Sequence, residues 1–126
     1  MSNTPHRSSC LIVEDQALIG MAIEAYLEDA GFEPAFVSSG CQAMSWLERT
    51  TPQCAILDYQ LKDGLCTELA RELRRRGVPF VVYSGHQRSV SVEMELQEVP
   101  WIEKPAARAE LVEAITAAAI RSPRLG

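Results

Sequence analysis

Five polar residues in this chain stand behind short apolar runs, and their types suit one kind of chemistry. Glu14 and Asp15 follow "CLIV", Asp58 follows "CAIL", Ser84 follows "PFVVY", and Lys104 comes just beyond "VPWI". Each has an ordinary explanation on its own. An aspartate at a strand end commonly bonds nearby backbone amides in a turn, Glu14, Asp15 and Ser84 can cap the helices that follow, and Lys104 can be solvated. Capping habits, however, do not predict acids behind two strands together with a hydroxyl and a lysine behind the next two. Three carboxylates brought close repel one another, and a hard divalent cation with oxygen ligands relieves that repulsion; Mg²⁺ fits best.

Whether these residues meet depends on the elements that carry them. Apolar runs alternate with segments of helical period, the pattern of repeated βα units. The runs at 10–13, 33–37, 54–57, 79–83 and 99–102 read as strands. A first helix starts at Gln16, carries the stripe Leu18, Ile19, Ala22, Ile23, Tyr26, Leu27 and Ala30, and stops at Gly31. A second helix spans about 42–49, and a third carries Leu65, Leu69, Ala70 and Leu73 and ends at Gly77. A weaker stripe through Val92 and Leu96 marks a fourth helix over 89–97, and Leu111, Val112, Ile115 and Ala119 mark a closing fifth. Short βα connections imply right-handed crossovers, so the expected fold is α/β: a five-stranded parallel sheet with helices on both faces. The run "EPAFV" carries a charge and a proline, which suits a sheet edge, and the order 2-1-3-4-5 follows. Ligands in such sheets bind beyond the carboxyl ends of the strands where the winding reverses, here between strands one and three. That edge is where the five polar residues fall.

Composition narrows the class. A chain of 126 residues, 47% hydrophobic and 23% charged, makes one globular domain, expected over 9–121 with flexible ends at 1–8 and 122–126. "MSNTPHRSSC" lacks the apolar core of a secretory signal and no run is long enough to span a bilayer, so a cytoplasmic protein is expected. Cys10, Cys41, Cys54 and Cys66 form no CxxC pair and read mainly as free buried thiols. A net charge of −5 argues against direct nucleic-acid binding, and the basic cluster "RELRRRG" reads as the solvated end of a helix.

The pattern resembles the receiver domain of two-component response regulators over roughly residues 9–121. The resemblance implies that Glu14 and Asp15 match the acidic pair that holds Mg²⁺, that Asp58 matches the phosphate acceptor, and that the backbone carbonyl of Gln60 completes the metal ligands. Ser84, Lys104 and Pro105 match the hydroxyl and the Lys-Pro pair, whose peptide bond the resemblance implies is cis, and Trp101 falls where many members keep a switching aromatic. The implied activity is that of a signalling phospho-acceptor rather than an enzyme with a separate substrate, one that assists its own phosphorylation and dephosphorylation. The donor would be a phosphohistidine on a sensor kinase or phosphotransfer protein. The output would be a conformational change read by a protein partner, or homodimerisation, at the face of the fourth helix, fifth strand and fifth helix. Charge supports this without the name: three carboxylates, Mg²⁺ and Lys104 cancel formally, so an anionic phosphoryl group can enter without net repulsion.

Departures and rivals bear on the reading. Ala106 follows Lys104-Pro105 where phenylalanine is common, which implies looser packing under the last helix. "RRRGVPFVVYSGH" is similar to a sub-group of stand-alone receivers, but His86 stands where that sub-group has tyrosine; it reads as a solvated residue at the start of the fourth helix. Trp101 equally suits a large core residue. A phosphatase of the haloacid dehalogenase type needs a second aspartate two residues after the first, where this chain has Gln60, and "EDQ" after strand one would repel the phosphate of a flavodoxin-like carrier. A degenerate receiver that only binds proteins would not need the acidic set. If the chain is whole, it acts by docking or by relaying phosphate.

Overall fold

Strands covered on both faces must be apolar on both, and the central runs of this chain are built that way. The computed structural model describes residues 7–85, 96 and 98–120. The element order is β1 (Ser9–Val13), α1 (Ala17–Asp29), β2 (Glu33–Val37), α2 (Gly40–Leu47), β3 (Cys54–Asp58), α3 (Cys66–Arg75), β4 (Phe80–Ser84), β5 (Trp101–Glu103) and α4 (Arg108–Ile120). All strand pairs are parallel and the order is β2-β1-β3-β4-β5, as expected. The expected helix over 89–97 lies outside the described residues apart from Leu96, which is fully buried, so α4 here is the closing helix of the sequence reading. His86 and the outermost end residues also lie outside them.

Alternation along the strands divides the core in two. Leu11, Val13, Leu57 and Val82 pack with Ala43 and Leu47 of α2 and Leu69 and Leu73 of α3. Their strand neighbours Cys10, Ile12, Ile56 and Tyr83 pack on the other side with Ile23 and Leu27 of α1 and Leu111 and Ile115 of α4. Cys10, Cys54 and Cys66 are buried free thiols and Cys41 is exposed; burial, reinforced by the adjacent Cys54, pushes the Cys10 thiol up. β2 is the edge, with its residues only partly covered. Gly31 ends α1 with φ 96°, and Gly77 ends α3 with φ 70°. In both cases the next amide reaches back five residues, Phe32 N to Leu27 O and Val78 N to Leu73 O, each at 2.9 Å, closing the helix and aiming the chain into the following strand.

Several details differ from the sequence reading. Leu18 is 83% exposed, because the inward position of that turn belongs to Gly20, whose missing side chain admits the ring of Phe36 from β2. β5 begins at Trp101 rather than at 99, since Pro100 offers the ladder only its carbonyl, taken by Val82 N at 2.9 Å. The basic cluster is not simply solvated. Arg76 donates to Leu47 O at 2.7 Å and to Thr51 Oγ1 at 2.9 Å, tying the end of α3 to the end of α2, and it pairs with Glu72 at 2.6 Å.

α2 starts two residues earlier than expected because two side chains cap it. Ser39 Oγ accepts from Gln42 N at 3.0 Å, and Asp63 Oδ2, from the loop after β3, accepts from Cys41 N at 2.9 Å. The close approach of that loop needs glycine at position 40. A Cβ there would stand 2.6 Å from Leu65 Cβ and 2.9 Å from Asp63 Oδ1. Gly40→Ala is therefore expected to destabilise the protein by about 1–3 kcal/mol, the usual cost of overpacking. The check is a lower urea midpoint at an unchanged denaturant slope.

Candidate functional site

The parallel register sets the site. Val13 of β1 lies opposite Leu57 of β3, so the next residues, Glu14 and Asp58, emerge side by side at the carboxyl edge of the sheet. Glu14 N still donates to Val37 O at 3.2 Å, which holds its backbone in line with the strand. Tyr83 of β4 lies opposite Asp58, and Ser84 lies opposite Glu103 of β5, with Lys104 immediately beyond. Lys104 N donates to Ser84 O at 2.7 Å, so the lysine leaves the sheet at a fixed point. The Lys104-Pro105 peptide is cis.

Glu14, Asp15 and Asp58 each offer a carboxylate oxygen, and the three oxygens lie within 4.8 Å of one another. Glu14 is 1% exposed and Asp58 5% exposed, so water screens little of their repulsion. The Lys104 ammonium meets part of it. Its Nζ lies 2.8 Å from Glu14 Oε1 and 3.6 Å from Asp58 Oδ2. Burial pulls the Lys104 amine down, but hydrogen bonding and charge from Glu14 and Asp58 outweigh it and hold the amine above its ordinary value. Burial pushes the Glu14 carboxyl up, and the Asp58 charge adds to this; the bond from Lys104 and the Gln16 amide offset only part. An all-oxygen cluster of this kind, under-neutralised by one ammonium, could hold a hard divalent cation.

The capping roles open to these acids coexist with that arrangement. Glu14 Oε2 accepts from Gln16 N at 3.1 Å, at the entrance to α1. Asp58 Oδ1 accepts from Gln60 N at 2.9 Å, the turn expected of an aspartate at a strand end. Its other oxygen faces Lys104. Asp15 Oδ2 accepts from Lys62 N at 2.9 Å, so this acid ties down the loop after β3. Ser84 is fully buried as the last residue of β4. Trp101 is half-buried on β5 and packs against Tyr59, with ring centroids 5.0 Å apart and planes tilted by 54°. The sequence reading missed Tyr59 and Tyr83. An aromatic directly beside each of Asp58 and Ser84 is the signal that could have found them.

A family model described as the response regulator receiver domain matches residues 10–116. The chain belongs to the response regulator receiver domain family. The receiver is similar to the transcriptional regulatory protein BaeR of Escherichia coli O6:H1, 32% identical over 115 residues that make up 87% of this chain and 46% of that protein. It is also similar to the DNA-binding response regulator MtrA of Mycobacterium leprae, 29% identical over 88% of this chain and 51% of that protein. The receiver thus spans about half the length of these curated relatives. A sensor protein from Polaromonas sp. JS666 superposes with a TM-score of 0.80 at 30% identity, covering 91% of this chain and 98% of the other. A CheY-like receiver domain protein from Methanospirillum hungatei JF-1 shares the fold, with a TM-score of 0.79 at 23% identity over 91% of this chain and 95% of the other. No helix among the described residues is long and apolar enough to cross a membrane.

The raised Glu14 carboxyl has a measurable sign. A carboxyl raised in the fold binds its proton more tightly than in the unfolded chain, so the stability it contributes is complete below the ordinary Glu range and is lost as pH rises through the raised value. In metal-free buffer Glu14→Gln is expected to be more stable than wild type at neutral pH, with the difference shrinking as pH falls through the raised value and levelling off below about 4.3, the ordinary Glu value. Denaturant midpoints across that range check it.

Proposed function

We propose that this receiver accepts a phosphoryl group on Asp58 from a phosphohistidine of a sensor kinase or phosphotransfer protein, and passes the signal on through a change of shape. The observation that carries the reading is the position of Lys104 Nζ between Glu14 and Asp58, beside a cluster of three carboxylates. In the transfer, an O–P bond forms on Asp58 and the donor's P–N bond breaks, its electron pair staying with the imidazole nitrogen. Glu14, Asp15, Asp58 and the backbone carbonyl of Gln60 would hold Mg²⁺. When bound, that ion neutralises carboxylate charge and draws phosphoryl oxygens toward the acceptor. Lys104 pairs with one phosphoryl oxygen and Ser84 hydrogen-bonds another, which meets the charge added when a carboxylate becomes a phosphoryl dianion. The receiver assists both its own phosphorylation and its own dephosphorylation, without acting on a separate substrate.

The partners follow from the same chemistry. With a net charge of −5 this domain is suited to a kinase and a downstream protein rather than to phosphate backbones. DNA binding of the kind named for the relative MtrA would then belong to a region outside the stretch matched here. We place the protein in the cytoplasm, where a kinase-fed receiver works, and assign β5 and α4, together with the segment that the sequence reads as a fourth helix, as the surface for a downstream protein or a second copy.

Trp101 is the proposed switch. If phosphorylation draws the Ser84 hydroxyl toward the phosphoryl oxygens, space opens beside β5 and the Trp101 ring sinks deeper. Because Trp101 already leans on Tyr59, the residue next to the acceptor, the ring can also respond to movement of that loop. The active arrangement is a minor member of the resting ensemble, and phosphorylation acts through its preference for that member.

Two measurements test these assignments. Acetyl phosphate with Mg²⁺ should label wild type, and borohydride reduction with mass spectrometry should map the acyl phosphate to Asp58; Asp58→Asn should lose the label entirely. Label retained in Asp58→Asn overturns the assignment. In a Trp46→Phe background, beryllofluoride with Mg²⁺ should change Trp101 emission or quencher access, and Ser84→Ala should largely remove the change. An unchanged signal with the acyl-phosphate mimic bound leaves Trp101 a static core residue.

A further inference from the structure

The segment that carries Lys104 into α4 has little side-chain mass of its own to hold it. Ala106 is small, and beside it lies an open, mostly apolar cavity of about 260 Å³ walled by Ile19, Tyr26, Tyr83, Pro105 and Ala106. Backbone bonds tie this segment to β4 at Lys104 N, which donates to Ser84 O. A second tie comes from a side chain: the Tyr83 hydroxyl accepts from Ala106 N at 3.1 Å. Tyr83 is buried on the sheet face shared with α1 and α4, and its register partners are Asp58 on one side and Ile102 on the other. The same residue also touches the functional end of the lysine. Lys104 Nζ lies 5.4 Å from the centroid of the Tyr83 ring, within the range at which an aromatic face attracts an ammonium.

Resting on the assignment of Asp58 as acceptor, we propose that Tyr83 is a positioning residue for Lys104: its hydroxyl anchors the backbone two residues beyond the lysine, and its ring supports the ammonium between Glu14 and Asp58. A lysine side chain has four rotatable bonds and loses much rotamer freedom when held at one point. A reacting group misplaced by about 1 Å costs on the order of a hundredfold in rate. A buried aromatic that fixes both ends of that lever therefore acts on transfer without touching the phosphoryl group. The cavity beside Ala106 sharpens the dependence, because the space on that side of the tyrosine is open rather than packed.

The test is a double-mutant cycle on full-length protein. Tyr83→Phe keeps the ring and removes the anchor, and Tyr83→Leu removes both. Rates of acetyl phosphate labelling at Asp58, and the apparent Kd for beryllofluoride with Mg²⁺, are measured for each variant with Lys104 present and in Lys104→Ala. With Lys104 present, Tyr83→Phe should slow labelling by about three- to tenfold, the kinetic equivalent of one hydrogen bond, and Tyr83→Leu by more. In Lys104→Ala neither should have a further effect. Beryllofluoride affinity should follow the same pattern, which keeps the cycle readable where labelling in Lys104→Ala is slow. Equal factors with and without the lysine, or no change in either variant, overturn the proposal, since Tyr83 would then serve the fold alone. Urea midpoints identify a variant that has lost its fold, and for such a variant Tyr83→Phe decides. Failure of wild type to label at Asp58 is a different result, and it removes the acceptor assignment itself.

Discussion

The buried charge at the carboxyl edge of the sheet is the constraint around which the rest of the structure is arranged. Glu14 and Asp58 are nearly inaccessible to water, Asp15 stands beside them, and one ammonium, Lys104, bridges two of the three. Removing carboxylates from water without compensation is costly, and a single lysine cannot neutralise three of them. The raised Glu14 carboxyl records that shortfall. A site kept short of positive charge could hold a divalent cation, which suits a receiver domain.

Such an arrangement survives only on a rigid support, and the two-sided core provides one. β1, β3 and β4 are almost wholly buried, with alternate side chains committed to opposite helical layers. A slip of one residue in register would turn each layer inside out, so the levels of Glu14, Asp58 and Ser84 relative to one another are set by the packing of leucines, valines and isoleucines well away from the edge. The loop after β3 is tied down from outside as well: Asp15 holds Lys62, and Asp63 caps α2. Asp15 thus helps to position the loop that follows Asp58.

Aromatic residues carry the site outward. Tyr59 follows Asp58 in the chain and leans on Trp101, while Tyr83 lies beside Asp58 in the sheet and reaches both Lys104 and the start of α4. Tyr59 and Trp101 pack on the layer of α2 and α3, and Tyr83 packs in the layer of α1 and α4. Asp58 thus has an aromatic neighbour on each face of the sheet.

The sequence alone determined the elements and the edge on which chemistry could occur. Unbroken apolar runs, helical stripes and the glycines at 31 and 77 are local signals, and the parallel sheet, its order and the gathering of Glu14, Asp15, Asp58, Ser84 and Lys104 follow from them by general rules of handedness and burial. What the tertiary structure decided are matters of distance and of choice between faces. That Leu18 is exposed while Gly20 is buried depends on the ring of Phe36, fifteen or so residues on, and no periodicity of α1 contains it. That Asp58 keeps its turn bond with one oxygen while offering the other to Lys104 depends on where β5 ends. Tyr83 read as one more apolar strand residue, because its two roles belong to Ala106 and Lys104, which only the folded sheet brings within its reach. Local patterns encode which residues share an edge; the angles and contacts at that edge arise from packing between segments distant in the chain.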